Sequence, residues 1–168
     1  MTTPADLTAL AAHCLDLLRA AGQPVATAES LTAGLVAATI ADVPGASDAL
    51  RGGIVAYATD VKTGVLGVDP DLVSRHGVVS APCAEAMALR AREVVGSTFG
   101  LSTTGVAGPD PQDGQPVGRV FAAVAGPDAA GEVVVHVDEL ALDGDRADIR
   151  RATVAAVLSR LAAHLEQT

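Results

Sequence analysis

Short apolar runs that alternate with helical repeats set the strongest limit on the fold of this 168-residue chain. Apolar side chains recur at helical spacing over residues 4–21 and predict an amphipathic first helix. The runs at 24–28, 53–58 and 99–106 are typical of strands, and the first two lead into predicted helices. In sheets with helical crossovers, binding sites gather where the strands end. We therefore expect a site at the strand ends.

The second half of the chain repeats this alternation. Its predicted elements are a short helix, a long helix, a strand pair and a final helix, at residues 69–77, 82–96, 118–125, 132–138 and 146–166. Ser80 and Asp145 are the expected N-caps, and Asp148 completes a capping pair with Asp145. The segment 112–118 is expected to be a flexible or lid-like loop.

The composition limits both the core and the partners. Apolar residues make up 49% of the chain, with two Phe, one Tyr and no Trp, so the core must consist of Ala, Val and Leu. The formal charge of −9 argues against a nucleic-acid or membrane-surface binder, because phosphate binding needs clustered positive charge. One small phosphorylated ligand stays compatible with this charge.

The length and the reactive residue types predict one cytoplasmic domain over residues 1–168. Two cysteines do not make a disulfide framework, and the four histidines lack the spacing of metal ligands. There is no signal segment and no apolar run of about 18 residues. We expect neither a metal nor a cofactor.

Lys62 is the only lysine and Tyr57 the only tyrosine, in a chain with ten arginines. Arginine stays protonated, but a lysine can lose its proton when its site is desolvated or positively charged. Lys62 is therefore a candidate general base, with chance in an arginine-rich chain as the alternative. Both residues are expected near the carboxyl end of the 53–58 strand, with Lys62 in the helical turn that follows.

Two strand ends could bind an anion. The 24–28 strand runs into a helix for which Ser30 is the expected N-cap, and such a helix start offers free backbone N–H groups. The 99–106 strand ends in T-T-G-V-A-G-P-D, where Thr104 offers a hydroxyl and Gly105 lets the backbone approach a ligand closely. An ordinary helix cap and an ordinary tight turn are the alternatives.

The start of the last helix is a third candidate. Arg146 occupies its first position, where a cation opposes the helix dipole but is well placed for an anion. Arg150 and Arg151 add to this positive charge. The alternative is a set of solvated surface arginines.

A Ser-Lys pair is the nucleophilic arrangement that the residue types permit. A G-x-S-x-G elbow is absent, and no histidine lies in a motif-rich loop. Serine needs a base to become a nucleophile, and Lys62 could serve Ser30, Ser47 or Ser102. Tyr57 could relay the proton or orient the amine.

Seven motifs together resemble the CinA C-terminal domain family: E-S-L-T-A-G-L, G-A-S, Y-A-T-D-V-K, G-V-V-S, T-T-G-V-A-G-P-D, Q-P-V-G and G-D-R-A-D-I-R-R-A-T. The resemblance covers nearly the whole chain, over residues 5–165. It implies a three-layer α/β/α fold with a mixed central β-sheet. It also implies a nicotinamide-nucleotide amidase, which converts nicotinamide mononucleotide to nicotinate mononucleotide and ammonia.

The resemblance also implies roles for individual residues. The serine of its G-S-S-like turn corresponds to Ser47, the lysine of the dyad to Lys62, and a tyrosine at the strand end to Tyr57. The expected substrate-binding residues are Ser30, Thr104, Gly105 and Arg146. Backbone N–H groups of the 105–108 loop are the expected donors to the oxyanion.

Three positions depart from the family pattern. Ala33 replaces a glycine, Ala46 replaces a serine, and Thr59 replaces an amide side chain. These changes bear on substrate recognition more than on the dyad. The resemblance further implies a stand-alone amidase domain that assembles as a homodimer or a higher homo-oligomer.

Two other functions stay open from the sequence. One is an amidase for a related pyridine nucleotide or another carboxamide. The other is a non-catalytic nucleotide-binding regulatory protein linked to competence or DNA damage. Nucleotide binding without ammonia release would distinguish the second.

Overall fold

A computed structural model describes residues 3–168 as five strands and six α-helices. The strands β1 to β5 are Val25–Glu29, Leu50–Val55, Phe99–Gly105, Arg119–Pro127 and Val133–Ala141. The helices α1 to α6 are Pro4–Ala21, Leu35–Ala41, Thr59–Gly64, Pro70–His76, Ala81–Val95 and Arg146–Leu165.

The strands form one mixed sheet in the order β2-β1-β3-β4-β5. The strands β2, β1 and β3 are parallel, whereas β4 is antiparallel to β3 and β5 is antiparallel to β4. The carboxyl ends of the three parallel strands therefore meet at one edge of the sheet, which we call the carboxyl edge. The predicted mixed sheet is confirmed.

Two helical layers cover the sheet and confirm the predicted α/β/α sandwich. On one face, α1, α2 and α6 pack on side chains such as Val25 and Phe99. On the other face, α5 packs on Ala26 and Ala28 of β1 and on alanines of β4. Small side chains let the layers approach closely, and this accounts for a core with so few aromatic rings.

Most helix boundaries follow the predicted caps. The Asp145 side chain accepts from Asp148 N, and the Asp148 side chain accepts from Asp145 N in return, which is a capping box. The Ser80 hydroxyl accepts from Cys83 N at the start of α5. Among residues 3–168 no helix is long and apolar enough to cross a membrane.

Two boundaries differ from the prediction. Ser30 is not an N-cap, because a turn separates it from α2, whose N-cap is Gly34. The second strand begins at Leu50 and ends at Val55, so Tyr57 lies beyond it. Ala56 N still donates to Glu29 O of β1 at 2.9 Å, and beyond this bond the chain leaves the sheet and enters α3 at Thr59.

Candidate active site

Ser30 directly follows β1 at the carboxyl edge, and its side chain is 9% exposed. Its backbone N donates to Thr103 O at 2.9 Å, which continues the sheet by one residue. Successive side chains of a strand point to opposite faces, so Ser30 and Glu29 diverge. The Ser30 side chain faces the layer that contains α3, and that of Glu29 faces α2.

Lys62 lies on α3 and its side chain reaches Ser30. The Lys62 Nζ donates to Ser30 Oγ and to Tyr57 O, both at 3.1 Å. The residue is only 2% exposed. Burial lowers the pKa of the Lys62 ammonium, while Cys83 and Asp113 oppose part of this change. Burial therefore shifts Lys62 towards the neutral amine, which is the form that can act as a base.

Ser47 is not at this site, which corrects the serine chosen for the dyad. It lies in a short 3-10 turn, Ala46–Asp48, that precedes β2, and it is exposed. The strand β2 has six residues, and at roughly 3.3 Å per residue it separates Ser47 from the carboxyl edge by on the order of 20 Å. The structure pairs Lys62 with Ser30 instead.

Ser102, the third candidate serine, is also excluded from the site by its position within β3. Its hydroxyl is 1% exposed and donates to Ala84 O of α5 at 2.6 Å. A hydroxyl enclosed between sheet and helix cannot meet a substrate. Of the three serines that the sequence left open, only Ser30 contacts Lys62.

Arg146 spans the mouth of the same pocket from the first position of α6. Its Nη1 donates to Gly108 O at 2.7 Å and its Nη2 donates to Tyr57 Oη at 2.6 Å. Arg146 and Tyr57 are both exposed. The guanidinium therefore joins the connection after β2 to the loop after β3, next to open solvent.

Thr104 and Gly105 form the floor beside Ser30. The Thr104 hydroxyl donates to Val78 O at 2.6 Å, and the residue is 1% exposed. A Cβ on Gly105 would lie 2.7 Å from Arg119 O, so a side chain there would collide with β4. Both residues line the pocket, and Gly105 has a clear steric reason to be glycine.

One pocket contains six of the seven predicted site residues, all except Ser47. Its lining is Ser30, Leu31, Tyr57, Thr59, Lys62, Val78, Val79, Thr104, Gly105, Val106, Ala107, Gly108, Asp110, Gln112 and Arg146. The ionisable residues of this lining are Lys62, Asp110, Tyr57 and Arg146. No cluster of three potential metal ligands occurs among residues 3–168.

The turn after Ser30 is held by Arg150, which the sequence predicts as added positive charge at the start of the last helix. Arg150 donates to Leu31 O at 3.0 Å and to Thr32 O at 2.7 Å. Arg150 therefore fixes the backbone rather than adding free positive charge. Arg151 binds Asp148 at 2.7 Å, so it too is not directed into the pocket.

Glu29, next to Ser30, is a residue that sequence reasoning missed. It is 1% exposed, and its carboxylate accepts bonds from Val36 N and Ala37 N at 2.9 and 2.8 Å. A charged residue at the end of an apolar run was the available signal. The apolar run predicts a strand over residues 24–28, which ends one residue before Glu29.

Comparison with known proteins gives a consistent family match. A model of the CinA C-terminal domain matches residues 7–165. A CinA-like protein of Frankia casuarinae is 50% identical over 144 residues, which is 86% of this chain and 32% of that protein. A CinA-like protein of Myxococcus xanthus is 41% identical over 163 residues, which is 95% of this chain and 37% of that protein. This chain thus spans about a third of the length of these relatives.

Solved structures share the whole fold. The competence/damage inducible protein CihA from Agrobacterium tumefaciens is 35% identical with a TM-score of 0.86, covering 96% of each chain. The competence damage-inducible protein A from Klebsiella pneumoniae is 26% identical with a TM-score of 0.87, covering 95% of this chain and 97% of that one.

Proposed function

Because this chain belongs to the CinA C-terminal domain family, we propose that it is an amidase that hydrolyses nicotinamide mononucleotide to nicotinate mononucleotide and ammonia. The observation that carries the proposal is the buried contact of Lys62 Nζ with Ser30 Oγ at 3.1 Å. A serine in contact with a lysine of lowered pKa has the parts needed for covalent acyl transfer.

The reaction starts with proton transfer. Neutral Lys62 takes the proton of Ser30 Oγ, and Oγ attacks the carbon of the carboxamide. The C–N bond of the resulting tetrahedral intermediate then breaks, and the Lys62 ammonium returns the proton to the leaving nitrogen, which departs as ammonia. An acyl ester on Ser30 remains. Water, activated by the neutral amine of Lys62, hydrolyses this ester and releases the acid.

Backbone donors for the oxyanion are available beside Ser30. Ala107 and Gly108 line the pocket, and among residues 3–168 their N–H groups donate to no protein acceptor. Leu31, next to Ser30, has the same property. One such donor contributes about 3 kcal/mol to the barrier reduction. The candidate oxyanion donors therefore include the N–H of Leu31, on the turn after Ser30, in addition to those of the predicted 105–108 loop.

Arg146 is the group that would bind the substrate phosphate. Its guanidinium lies at the mouth and is exposed, and both of its present acceptors are neutral oxygens. An anionic oxygen is a stronger acceptor than either of them. The phosphate would then lie near solvent, and the carboxamide would point inward to Ser30.

The direct test is ammonia release from nicotinamide mononucleotide by the purified chain. Lys62→Arg should lower kcat by about 100-fold or more, because arginine cannot give up its proton to act as a base. A Lys62→Arg variant with normal turnover would contradict the mechanism. A different outcome is a protein that is inactive on nicotinamide mononucleotide but releases ammonia from another carboxamide in a substrate panel. That result would support an amidase with a different substrate.

The second candidate is a non-catalytic nucleotide-binding protein linked to competence or DNA damage, and its only support is that the names of the solved relatives refer to competence and damage induction. Calorimetry that detects nucleotide binding, with no ammonia from any carboxamide, would support this role and not the amidase.

A further inference from the structure

The proposed reaction leaves one buried carboxylate without a role. Glu29 is the last residue of β1, directly precedes Ser30 and is 1% exposed. Burying a charge is costly unless it is well hydrogen-bonded. Among residues 3–168 no ion pair includes Glu29. Its surroundings must therefore satisfy the carboxylate with neutral donors.

Three neutral donors surround it. Glu29 Oε2 accepts from Val36 N at 2.9 Å, and Oε1 accepts from Ala37 N at 2.8 Å and from Thr27 Oγ1 at 3.1 Å. Val36 and Ala37 belong to the first turn of α2, whose N-cap Gly34 offers no side-chain bond. First-turn N–H groups need acceptors. Glu29 supplies them from the neighbouring strand and so ties α2 to the end of β1.

The neighbouring strand leaves room for this arrangement. Gly53 of β2 is the partner of Thr27 in the parallel ladder. A Cβ on Gly53 would lie 2.3 Å from Thr27 Oγ1, so any side chain there would displace the hydroxyl that donates to Glu29. The hydrogen bond from Thr27 to Glu29 in β1 therefore requires a glycine at position 53 of β2.

Ser30 lies between fixed points on either side. Before it, the carboxylate of Glu29 fixes the start of α2, and Glu29 O accepts from Ala56 N at 2.9 Å. After it, the turn closes with Ala33 N donating to Ser30 O at 3.0 Å. The turn therefore connects β1 to α2, and the hydrogen bonds of the Glu29 carboxylate join the same two elements directly. Movement of α2 away from β1 would open the turn and shift Ser30.

We propose that Glu29 is a positioning residue. By joining the first turn of α2 to the end of β1, it keeps Ser30 Oγ within hydrogen-bond distance of Lys62 Nζ. It touches no substrate and acts only through Ser30. This inference rests on the proposed function of Ser30 and Lys62. The buried carboxylate would then serve to align the nucleophile. A displacement of a reacting group by about 1 Å can lower the rate 100-fold.

The test is Glu29→Gln, which keeps the shape but places an NH₂ group against a backbone N–H. We expect kcat to fall about 10- to 100-fold with KM changed less than about threefold. The matched control is Asp69→Asn, since Asp69 Oδ1 accepts from Asp71 N at the exposed start of α4 and Asp69 does not line the pocket. It should keep kcat. All rates are measured well below each variant's melting temperature.

A second measurement separates this inference from the substrate assignment. A fluorophosphonate forms a phosphonyl ester with an activated serine hydroxyl and releases fluoride, and intact-mass spectrometry measures its rate. Glu29→Gln should slow this labelling at least tenfold, and Ser30→Ala should abolish it. Slowed labelling without ammonia release by any variant would support the role of Glu29 and refute the amidase.

Three results would overturn the role of Glu29. One is wild-type kcat and labelling in Glu29→Gln, which would leave the amidase intact. Another is an equal loss of kcat in Asp69→Asn, which would indicate a general effect of cap removal. The last is a wild-type protein that neither labels nor releases ammonia, since Ser30 would then not be activated.

Discussion

The two ends of the sheet each present a serine in a tight turn, and the two differ in what surrounds them. At the carboxyl edge, Ser30 is 9% exposed and contacts a buried lysine. At the opposite edge, Ser47 is exposed in a turn whose nearby charged groups are Arg19 and Asp48. Both serines follow a short apolar segment and precede a regular element. Only the enclosed one contacts Lys62, so burial and strand direction distinguish the proposed nucleophile from a surface hydroxyl.

The largest difference between the two ends should appear in the pH dependence of turnover. Burial lowers the pKa of Lys62 from its ordinary value of 10.5, and the base must be neutral. Activity should therefore fall as pH decreases through the folded-state pKa, by about tenfold per pH unit. The turnover of Ser47→Ala should fall in the same way as the pH decreases. A rate that does not fall on the acid side would contradict a lysine base.

The linked effect on stability has a defined sign. Lys62 holds its proton less tightly in the folded than in the unfolded chain. The free energy of unfolding should therefore rise with pH between the folded pKa and 10.5. Urea unfolding at several pH values checks this, with Ser47→Ala as a parallel control.

The arginines at the two ends should differ in what they affect. Arg146→Ala removes the exposed guanidinium at the pocket mouth and should raise KM for nicotinamide mononucleotide about tenfold, since a hydrogen bond to a charged group contributes about 1.5–3 kcal/mol. Arg19→Ala removes the bond to Pro44 O beside Ser47 and should leave KM unchanged. Steady-state kinetics on both variants decide this. Equal KM values would remove Arg146 from substrate binding.

The sequence located most of the site because local motifs mark strand ends. Tyr57 follows β2, Lys62 lies on the short α3, Thr104 lies near the end of β3 and Arg146 begins α6. All four line the pocket. The choice of Ser47 over Ser30 rested on the family resemblance, whereas the strand from Leu50 to Val55 places Ser47 at the opposite edge of the sheet from Lys62. Local periodicity does not specify how β2 pairs with β1, in which Val25 is the partner of Leu50.

Glu29 was missed for a different physical reason. The buried carboxylate is stabilised mainly by two N–H groups of α2. Their residues lie seven and eight positions later in the sequence. Strand propensity disfavours glutamate. The position therefore looked like the end of a strand rather than a packing element of the fold.

The smallest expected effects concern the backbone of the two turns. Ala33, after Ser30, has φ of +50°, whereas Gly45, before Ser47, has φ of +80°. Ala33→Gly should raise the free energy of unfolding by about 0.5 kcal/mol, because relief of left-handed strain slightly exceeds the added entropy of the unfolded chain. Gly45→Ala should lower it by about 1–2 kcal/mol, since its Cβ would lie 1.8 Å from Arg19 Nη2. Chemical denaturation of both variants measures these shifts, and a loss of stability in Ala33→Gly would refute strain at that turn.

The central claim is that Ser30, and not Ser47, is the nucleophile. The most direct measurement is kcat for ammonia release from nicotinamide mononucleotide by Ser30→Ala and Ser47→Ala, purified and assayed side by side. We predict that Ser30→Ala loses at least about 1,000-fold in kcat while Ser47→Ala keeps the wild-type rate. Turnover retained by Ser30→Ala, with activity lost in Ser47→Ala, would contradict the account.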